Sequence, residues 1–488
     1  MENELGINRV TFALPGRQFF IKSSVAVNEM LPKTTEFVLR VIRLCNGLSI
    51  EQIQEYFGFS GSEVRLFLDS LMTQQLVEMN LDVVTLTAYA SDKFYVADEL
   101  PRFSVIKDRT DTVDFDLLTY HLQDGRNVAR NTGYMFPLTL AEENIASSNR
   151  EAELAYQRHF PQILRIKEKT KDKIEIYKIA SVRGKRFFDI PLDVAFYLNS
   201  SFEIERRVSY PEDADEEFRL GVEEALSDSL NRRLSIQTPL LQEFVERFDD
   251  KVIGQYLTKK GFQFADYVRD VYLNQAVSYR DGTEPMLGSV YMPGNAKRVL
   301  AWVEAAFSGE RDGTRDAQKL YSSIAWLAPE SLLWGRSSLF DELYSGLETR
   351  LPKPPKQLKQ SIDRVHILYP TAPDRVQSAT NQFRGLKEKS VHFCSGEVMG
   401  GRAEVILLPL KMACVLFHFA PAANSAVVVP IGFITRREDL IKEAQVAIFD
   451  ATNGGAAYLG KAQPRKDDKK QQPSTFEEQF SFVNYGMR

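Results

Sequence analysis

Residues 403–419 read AEVILLPLKMACVLFHF, and residues 427–432 read VVVPIG. Apolar runs of this length, interrupted by Pro409 and Lys411, are too short for a membrane-spanning helix and are typical of buried β-strands. With comparable runs on either side, the pattern predicts strands at 365–369, 391–394, 403–408, 414–419, 427–429 and 446–449. Helical spacing of apolar residues predicts helices at 374–386 and 436–444. Residues 365–460 are therefore predicted to form a C-terminal α/β domain.

A second pattern lies on these strands. His418, Ala420, Ser425 and Gly432 follow the spacing His-x-Lys-x4-Asp-x6-Gly-Ser, and the stretch resembles the second half of a phospholipase D-type site. Ala420 stands where that site has its lysine, Ser425 where it has aspartate, and Phe433 where it has serine. In that superfamily the lysine holds the phosphoryl oxygens while histidines attack phosphorus and protonate the leaving oxygen. The resemblance therefore implies a degenerate, phospholipase D-like domain without hydrolytic activity.

The same histidine has a plainer interpretation. No first His-x-Lys half-site accompanies His418 in the sequence. A histidine at the end of an apolar strand is also what a core residue bonded to the backbone would look like. Both interpretations of His418 stay open at this point.

Residues 34–94 carry a different signature, namely three short amphipathic helices followed by two strands. Ser49 and Ser60 are suitable N-terminal caps, and Gly58 is a suitable helix stop. The order resembles a winged helix-turn-helix, assigned to residues 1–95. Its charge does not favour DNA, since residues 34–94 hold four basic and eight acidic side chains. Docking of a partner protein is the alternative role for this module.

The strongest basic segment lies elsewhere. Residues 158–187 contain ten basic and three acidic side chains, with Tyr177 and Phe187 interleaved. Cations combined with aromatic rings suit contact with phosphates and stacked bases. The pattern predicts strands flanking a turn at 183–186, and the alternative is a solvated strand-and-turn face. The predicted nucleic-acid-binding residues are Lys171, Lys173, Lys178, Arg183, Lys185 and Arg186.

The remaining segments and the overall composition complete the predicted organisation of the chain. Residues 96–350 are predicted to form a mixed α+β region, 351–364 a Pro/Lys-rich linker, and 461–488 a charged, disordered tail with an aromatic docking segment. The 488 residues carry a net charge of −5 and three cysteines, an arrangement that fits a reducing cytoplasm. Because no metal-ligand spacing, phosphate-binding loop, signal peptide or long apolar run occurs, we expect no metal, cofactor or membrane association.

The sequence thus predicts an α+β multidomain protein with a winged helix, a mixed centre and a C-terminal α/β domain. A degenerate nuclease-like domain joined to a winged helix is similar to accessory subunits of bacterial anti-phage defence operons. That resemblance implies a non-catalytic nucleic-acid-binding or scaffold subunit. Its expected partners are proteins of the same operon and nucleic acid, with DNA expected in preference to RNA. The alternatives are a winged-helix transcriptional regulator and a nuclease with an unrecognised active site.

Overall fold

The computed structural model describes residues 4–93, 102–123, 133–167, 174–231, 238–308, 323–352, 365–372, 375–384, 386, 390–394, 397–422, 425–453 and 458–459. These residues form a mixed α+β protein with several sheets, as the sequence predicts. None of the helices within these ranges is both long enough and apolar enough to cross a membrane.

In chain order, the strands are β1 (Leu5–Met30), β2 (Leu48–Ser49), β3 (Val77–Asn80), β4 (Val83–Leu86), β5 (Arg102–Asp116), β6 (Leu122–Gln123), β7 (Phe136–Pro137), β8 (Ile174–Leu198), β9 (Ile204–Val208), β10 (Leu257–Thr258), β11 (Gly261–Phe262), β12 (Thr283–Leu287), β13 (Ile324–Leu327), β14 (Val365–Pro370), β15 (Val391–Cys394), β16 (Ala403–Leu408), β17 (Met412–Phe419), β18 (Val429–Thr435) and β19 (Tyr458–Leu459).

In the same order, the helices are α1 (Lys33–Leu44), α2 (Ile50–Phe57), α3 (Gly61–Thr73), α4 (Ala88–Lys93), α5 (Glu142–Ala146), α6 (Ser148–Lys167), α7 (Glu216–Leu230), α8 (Thr238–Phe248), α9 (Lys251–Gly254), α10 (Phe264–Val268), α11 (Pro293–Ala305), α12 (Ser338–Arg350), α13 (Val376–Gln382) and α14 (Glu438–Asn453). Residues Arg269–Leu273 continue α10 as a π-helix.

The chain divides into two compact units. The larger unit comprises Met1–Gly16, Asp116–Glu142 and Phe187–Arg488, and the smaller comprises Arg17–Phe115 and Glu143–Arg186. The predicted segments 1–95 and 96–350 are divided between these units, because residues 1–16 belong to the larger unit and residues 96–350 contribute to both. The reason is that the long strands β1, β5 and β8 each supply residues to both units.

Within the smaller unit, α1 to α4 and the sheet β2-β4-β3 share one apolar core built on Val38, Ile53, Leu68 and their neighbours. Local sequence sets the helix starts. Ser49 forms a capping box with Gln52, in which each residue's side chain bonds the other's backbone N–H. Ser60 and Glu63 do the same for α3. The predicted three helices and ribbon are present, with the additional short strand β2.

Two features of the smaller unit differ from the predictions. The strand-like pattern of residues 95–210 favours a β-rich region, but residues 148–167 form the helix α6. Its buried side chains include Ala152, Tyr156 and Ile163 at helical spacing. The predicted turn at 183–186 is wrong, since β8 runs through it without interruption. The Arg17 guanidinium packs directly against Gly184, where an added Cβ would lie 2.2 Å from Arg17 Cζ.

The larger unit is built on an eight-stranded mixed sheet of order β12-β18-β17-β16-β13-β14-β15-β19. Strands β13, β14 and β15 are parallel, whereas β12, β16, β17 and β18 are antiparallel to their neighbours. Side chains alternate between the two faces. One face packs against α8 and α14, and the other packs against α11 and α12. The strands are buried because helices cover both faces, which explains their continuous apolar sequence.

This sheet corrects the predicted C-terminal domain in two ways. Its strands β12 and β13 precede residue 351, so the sheet does not begin at 365, and residues 353–364 of the predicted linker lie outside the described residues. The predicted strand at 446–449 is wrong, because it belongs to α14. The buried apolar side chains of that helix recur at helical spacing, and they are Leu440, Ile441, Ala444, Ala447, Ile448 and Ala451.

Asp250 begins the short helix α9 of the larger unit and is only 3% exposed. Its Oδ1 accepts hydrogen bonds from the N–H groups of Val252 and Ile253 at 3.0 and 2.9 Å, and the Tyr279 hydroxyl donates to Oδ2 at 2.9 Å. Burial raises the pKa of the Asp250 carboxyl from 3.8 to about 6, because lost hydration outweighs these hydrogen bonds. The charged form of Asp250 therefore costs stability.

We expect the protein to lose stability through Asp250 as the pH rises from about 4 to about 6. In that interval the unfolded chain releases a proton that the folded chain still holds, and the cost is complete above the folded pKa. It amounts to about 3 kcal/mol. Asp250→Asn keeps the capping oxygen and places an amide donor near Tyr279, so it should abolish this pH dependence. Urea unfolding across the interval measures the effect, with exposed Asp228→Asn as the control. Parallel stability curves for Asp250→Asn and the parent would contradict it.

Candidate functional site

His418 lies near the end of β17 and is 2% exposed. Its Nε2 lies 2.7 Å from Oε2 of Glu404, which is on the neighbouring strand β16 and is 1% exposed. The other carboxylate oxygen, Oε1, accepts hydrogen bonds from the indole N–H groups of Trp326 and Trp334, both at 2.9 Å. We call these four side chains the Glu404 cluster. They form a buried, hydrogen-bonded polar group surrounded by apolar residues.

The hydrogen bonds of the Glu404 cluster assign the protonation of His418. Its Nδ1 has no hydrogen-bond partner among the described residues. An imidazole with its proton on Nε2 donates to Glu404 and leaves only a lone pair unpaired, which is cheaper to bury than an unpaired N–H. Three N–H donors then surround one carboxylate, and both of its oxygens are bonded. His418 is thus a buried core residue, although its ring is bonded to a carboxylate and not to the backbone.

The other positions of the phospholipase D-like motif do not converge on His418. Ser425, together with Phe419 beside the motif histidine, lines a cavity of the larger unit that does not include His418. Successive side chains of a strand point to opposite faces, so the side chains of His418 and Phe419, which are consecutive in β17, lie on different sides of the sheet. The Ser425 hydroxyl accepts a hydrogen bond from the N–H of Val427 at 3.1 Å, and Ala420 follows the end of β17. Among the described residues that line this cavity there is no histidine.

Gly432 has a structural explanation of its own. It lies in the centre of β18, directly opposite Leu416 of β17. A Cβ at this position would lie 2.1 Å from the carbonyl oxygen of Val415, a separation that atoms cannot adopt. Close approach of two backbones therefore requires glycine here, independently of any phosphate-binding motif.

We next consider whether the described residues could bind a metal ion or supply a nucleophile. These contain no group of three or more His, Cys, Asp or Glu side chains that could hold a metal ion. Burial raises the pKa of the Cys394 thiol to about 12 and raises that of Cys414 as well, so both are protonated at neutral pH. Burial, followed by the nearby His366, lowers the pKa of His392 to about 3, which keeps that imidazole neutral.

Four of the six cations predicted to bind nucleic acid lie on β8. Lys178, Arg183, Lys185 and Arg186 are all exposed. Lys171 and Lys173 lie outside the described residues. Lys178, Arg183 and Arg186 form no ion pair with another described residue. Exposed cations whose charge is not neutralised by neighbouring carboxylates are available to phosphates.

The structure adds aromatic and basic groups to this segment. Arg183 and Lys185 are two residues apart, so their side chains lie on one side of the strand about 7 Å apart. The Nζ of Lys185 lies 4.8 Å from the centre of the Phe20 ring. The Arg17 guanidinium lies against Gly184 and donates to the Ser148 hydroxyl at 2.7 Å. Sequence analysis missed Arg17, because only the pairing of β1 with β8 brings it there.

Residues 33–93 present an apolar surface and not a basic one. Phe37 and Leu44 are 61% and 85% exposed and lie two turns apart on one face of α1. Leu81, at the turn between β3 and β4, is 97% exposed. The guanidinium of Arg40 is bonded to Glu36 at 2.8 Å. The exposed large apolar side chains of these residues are Phe37, Leu44, Tyr56, Leu66, Met79, Leu81, Val83 and Tyr89. Exposed apolar side chains in this number favour protein contact over phosphate contact.

A cavity of about 860 Å³ in the larger unit was not anticipated from the sequence. It lies where the ends of β8, α7 and β17 meet β11 and α10, and five phenylalanines from four separate elements and the loop after β8 contribute to it. No local sequence signal could identify it, because these phenylalanines extend from Phe196 to Phe419 along the chain.

The chain matches no protein-family model, no curated protein and no solved structure.

Proposed function

We propose that this protein is a non-catalytic nucleic-acid-binding scaffold subunit of a bacterial multi-protein system of the anti-phage defence type. One observation carries the proposal: Arg183, Lys185 and Arg186 are exposed along one strand, and neither arginine is paired with a described carboxylate. Exposed cations such as these bind phosphates through release of counterions, without reading sequence.

The absence of catalysis in this proposal is supported by the Glu404 cluster. Hydrolysis through His418 would require its ring to reach a phosphorus atom, whereas His418 is buried and its Nε2 is engaged by Glu404. The position that holds a lysine in the phospholipase D superfamily is Ala420, which supplies no charge to a phosphoryl oxygen. In this proposal the cations of β8 bind DNA, and the protein does not cleave it.

The scaffold role is supported by the surface of residues 33–93. A winged-helix regulator would present cations on its recognition helix, yet α3 exposes Glu63, Leu66 and Asp69 beside its single cation, Arg65. The exposed apolar side chains of this region suit a partner protein, which we propose is encoded in the same operon. Transcriptional regulation is the less favoured function for this reason.

The test is a charge-reversal variant, Arg183→Glu/Lys185→Glu/Arg186→Glu. We expect its affinity for DNA to fall about 100-fold near 0.1 M salt, with the slope of log affinity against log salt reduced by two to three, about one for each lost phosphate contact. Fluorescence anisotropy with single- and double-stranded DNA and with RNA measures both quantities and identifies the preferred ligand.

A matched control is Arg65→Glu/Lys259→Glu/Lys260→Glu, which changes the net charge equally at exposed positions elsewhere. It should lose less than about fivefold in affinity. Equal losses in both variants, or no binding by the parent protein at low salt, would contradict the assignment to β8. Cleavage of the labelled DNA by the parent protein would contradict the non-catalytic part of the proposal.

A further inference from the structure

The cavity at the end of β17 is lined by aromatic rings. Phe196, Phe202, Phe262, Phe264 and Phe419 all contribute to it. The Phe419 ring lies 5.0 Å from Phe262 and 5.5 Å from Phe264, measured between ring centres, so three of the rings form a continuous wall. A concave apolar site of this volume has room for several side chains of a ligand.

The polar rim of this cavity is acidic. Its charged residues are Glu203, Glu205 and Arg206. The Arg206 guanidinium bonds the Glu223 carboxylate at 2.6 Å, which neutralises it, whereas Glu203 and Glu205 are exposed. The site therefore suits a ligand that carries aromatic groups next to positive charges, as a peptide can.

We propose that this cavity receives the C-terminal segment of the same chain, residues 461–488. That segment contains Phe476, Phe480 and Phe482, and its first ten residues include five basic and two acidic side chains. The phenylalanines of the segment enter the phenylalanine cavity, and the cations that precede them lie near Glu203 and Glu205. The segment thus matches the cavity in both apolarity and charge.

The length of the chain permits this docking. Strand β19, which ends at Leu459, lies five strands from β17 in the sheet, a distance of about 24 Å. The 17 residues from Leu459 to Phe476 span about 24 Å as a coil and up to about 56 Å when extended. Tethering also raises the local concentration of the segment to the millimolar range, so a modest affinity is sufficient for occupancy.

The test is site-specific photocrosslinking in the full-length protein. A benzophenone amino acid replaces Phe480, and irradiation is followed by peptide mass spectrometry. We expect intramolecular crosslinks to peptides containing Phe202, Phe262 or Phe419. Crosslinks confined to other surfaces, or covalent dimers in place of intramolecular products, would overturn the proposal.

Two cavity variants make the result specific. Phe202→Asn removes an aromatic ring while keeping a residue type that tolerates the left-handed backbone at φ 61. Glu203→Lys reverses an exposed rim charge and cannot disturb the core. Each should reduce the crosslink yield at least about fivefold, because apolar contact and charge attraction act together. The control Glu224→Lys, an exposed residue of α7 outside the cavity lining, should leave the yield unchanged. An unchanged yield in both cavity variants would also overturn the proposal.

Discussion

Replacement of Glu404 by leucine is expected to lower the free energy of unfolding by about 3–5 kcal/mol. The carboxylate is the shared acceptor for Trp326, Trp334 and His418, and all four side chains are buried. Leucine fills similar space but leaves three buried N–H groups unpaired, and each costs about 1–3 kcal/mol. The loss should therefore exceed that for any one of the three donors removed alone.

Chemical denaturation of the variant and the parent measures this difference. Glu342→Leu is the matched control, because Glu342 is exposed on α12 and should change stability by less than about 0.5 kcal/mol. Trp326→Phe and Trp334→Phe each remove one donor and should cost about 1–2 kcal/mol. A Glu404→Leu protein as stable as the parent would show that the cluster does not stabilise the fold.

The Glu404 cluster also changes how a His418 variant must be interpreted. His418→Ala removes one partner of a buried carboxylate and leaves a cavity, so we expect a loss of about 2–4 kcal/mol in stability. A loss of function in cells could follow from that loss alone. Binding of DNA by purified, folded His418→Ala protein should remain at the parental level, because the cations of β8 belong to the smaller unit and His418 to the larger.

Local sequence predicted the parts of the fold that depend on local physics. The apolar runs at 403–408 and 414–419 correspond to β16 and β17, since strands covered on both faces must be apolar throughout. Ser49 and Ser60 begin helices as predicted, because a capping box requires only residues three positions apart. These elements could be predicted from nearby residues alone, without information about the rest of the chain.

Features that depend on distant pairing were not predictable in this way. Strand β13 lies between β16 and β14 in the sheet, yet α12 separates it from β14 along the chain, and β14, α13 and β15 further separate it from β16. Glu404 and Trp326 are 78 residues apart, and the sequence around a glutamate in an apolar strand does not indicate which distant side chains donate hydrogen bonds to it. The basic composition of 158–187 likewise obscured α6, whose apolar spacing was present in the sequence.

Gly432→Ala is expected to destabilise the protein by about 3–5 kcal/mol, an effect far above the usual cost of alanine in a strand. The added methyl group would lie 2.1 Å from the Val415 carbonyl oxygen and 3.0 Å from the Cα of Leu416. Both are backbone atoms of β17, so no side chain can rotate away to make room. Relief requires separation of β17 and β18 at the centre of the sheet, which weakens the hydrogen bonds between them.

Gly294→Ala provides the opposite expectation within the same unit. Gly294 lies in the first turn of α11, and a Cβ there meets no atom within 4 Å. Alanine should be neutral or stabilise by up to about 1 kcal/mol, because it favours the helix and restricts the unfolded chain. Thermal and urea unfolding of the two variants separate the cost of the Val415 contact from the general effect of replacing glycine. If both variants behave alike, strand approach does not require Gly432, and its place in the phospholipase D-like motif would need a functional explanation.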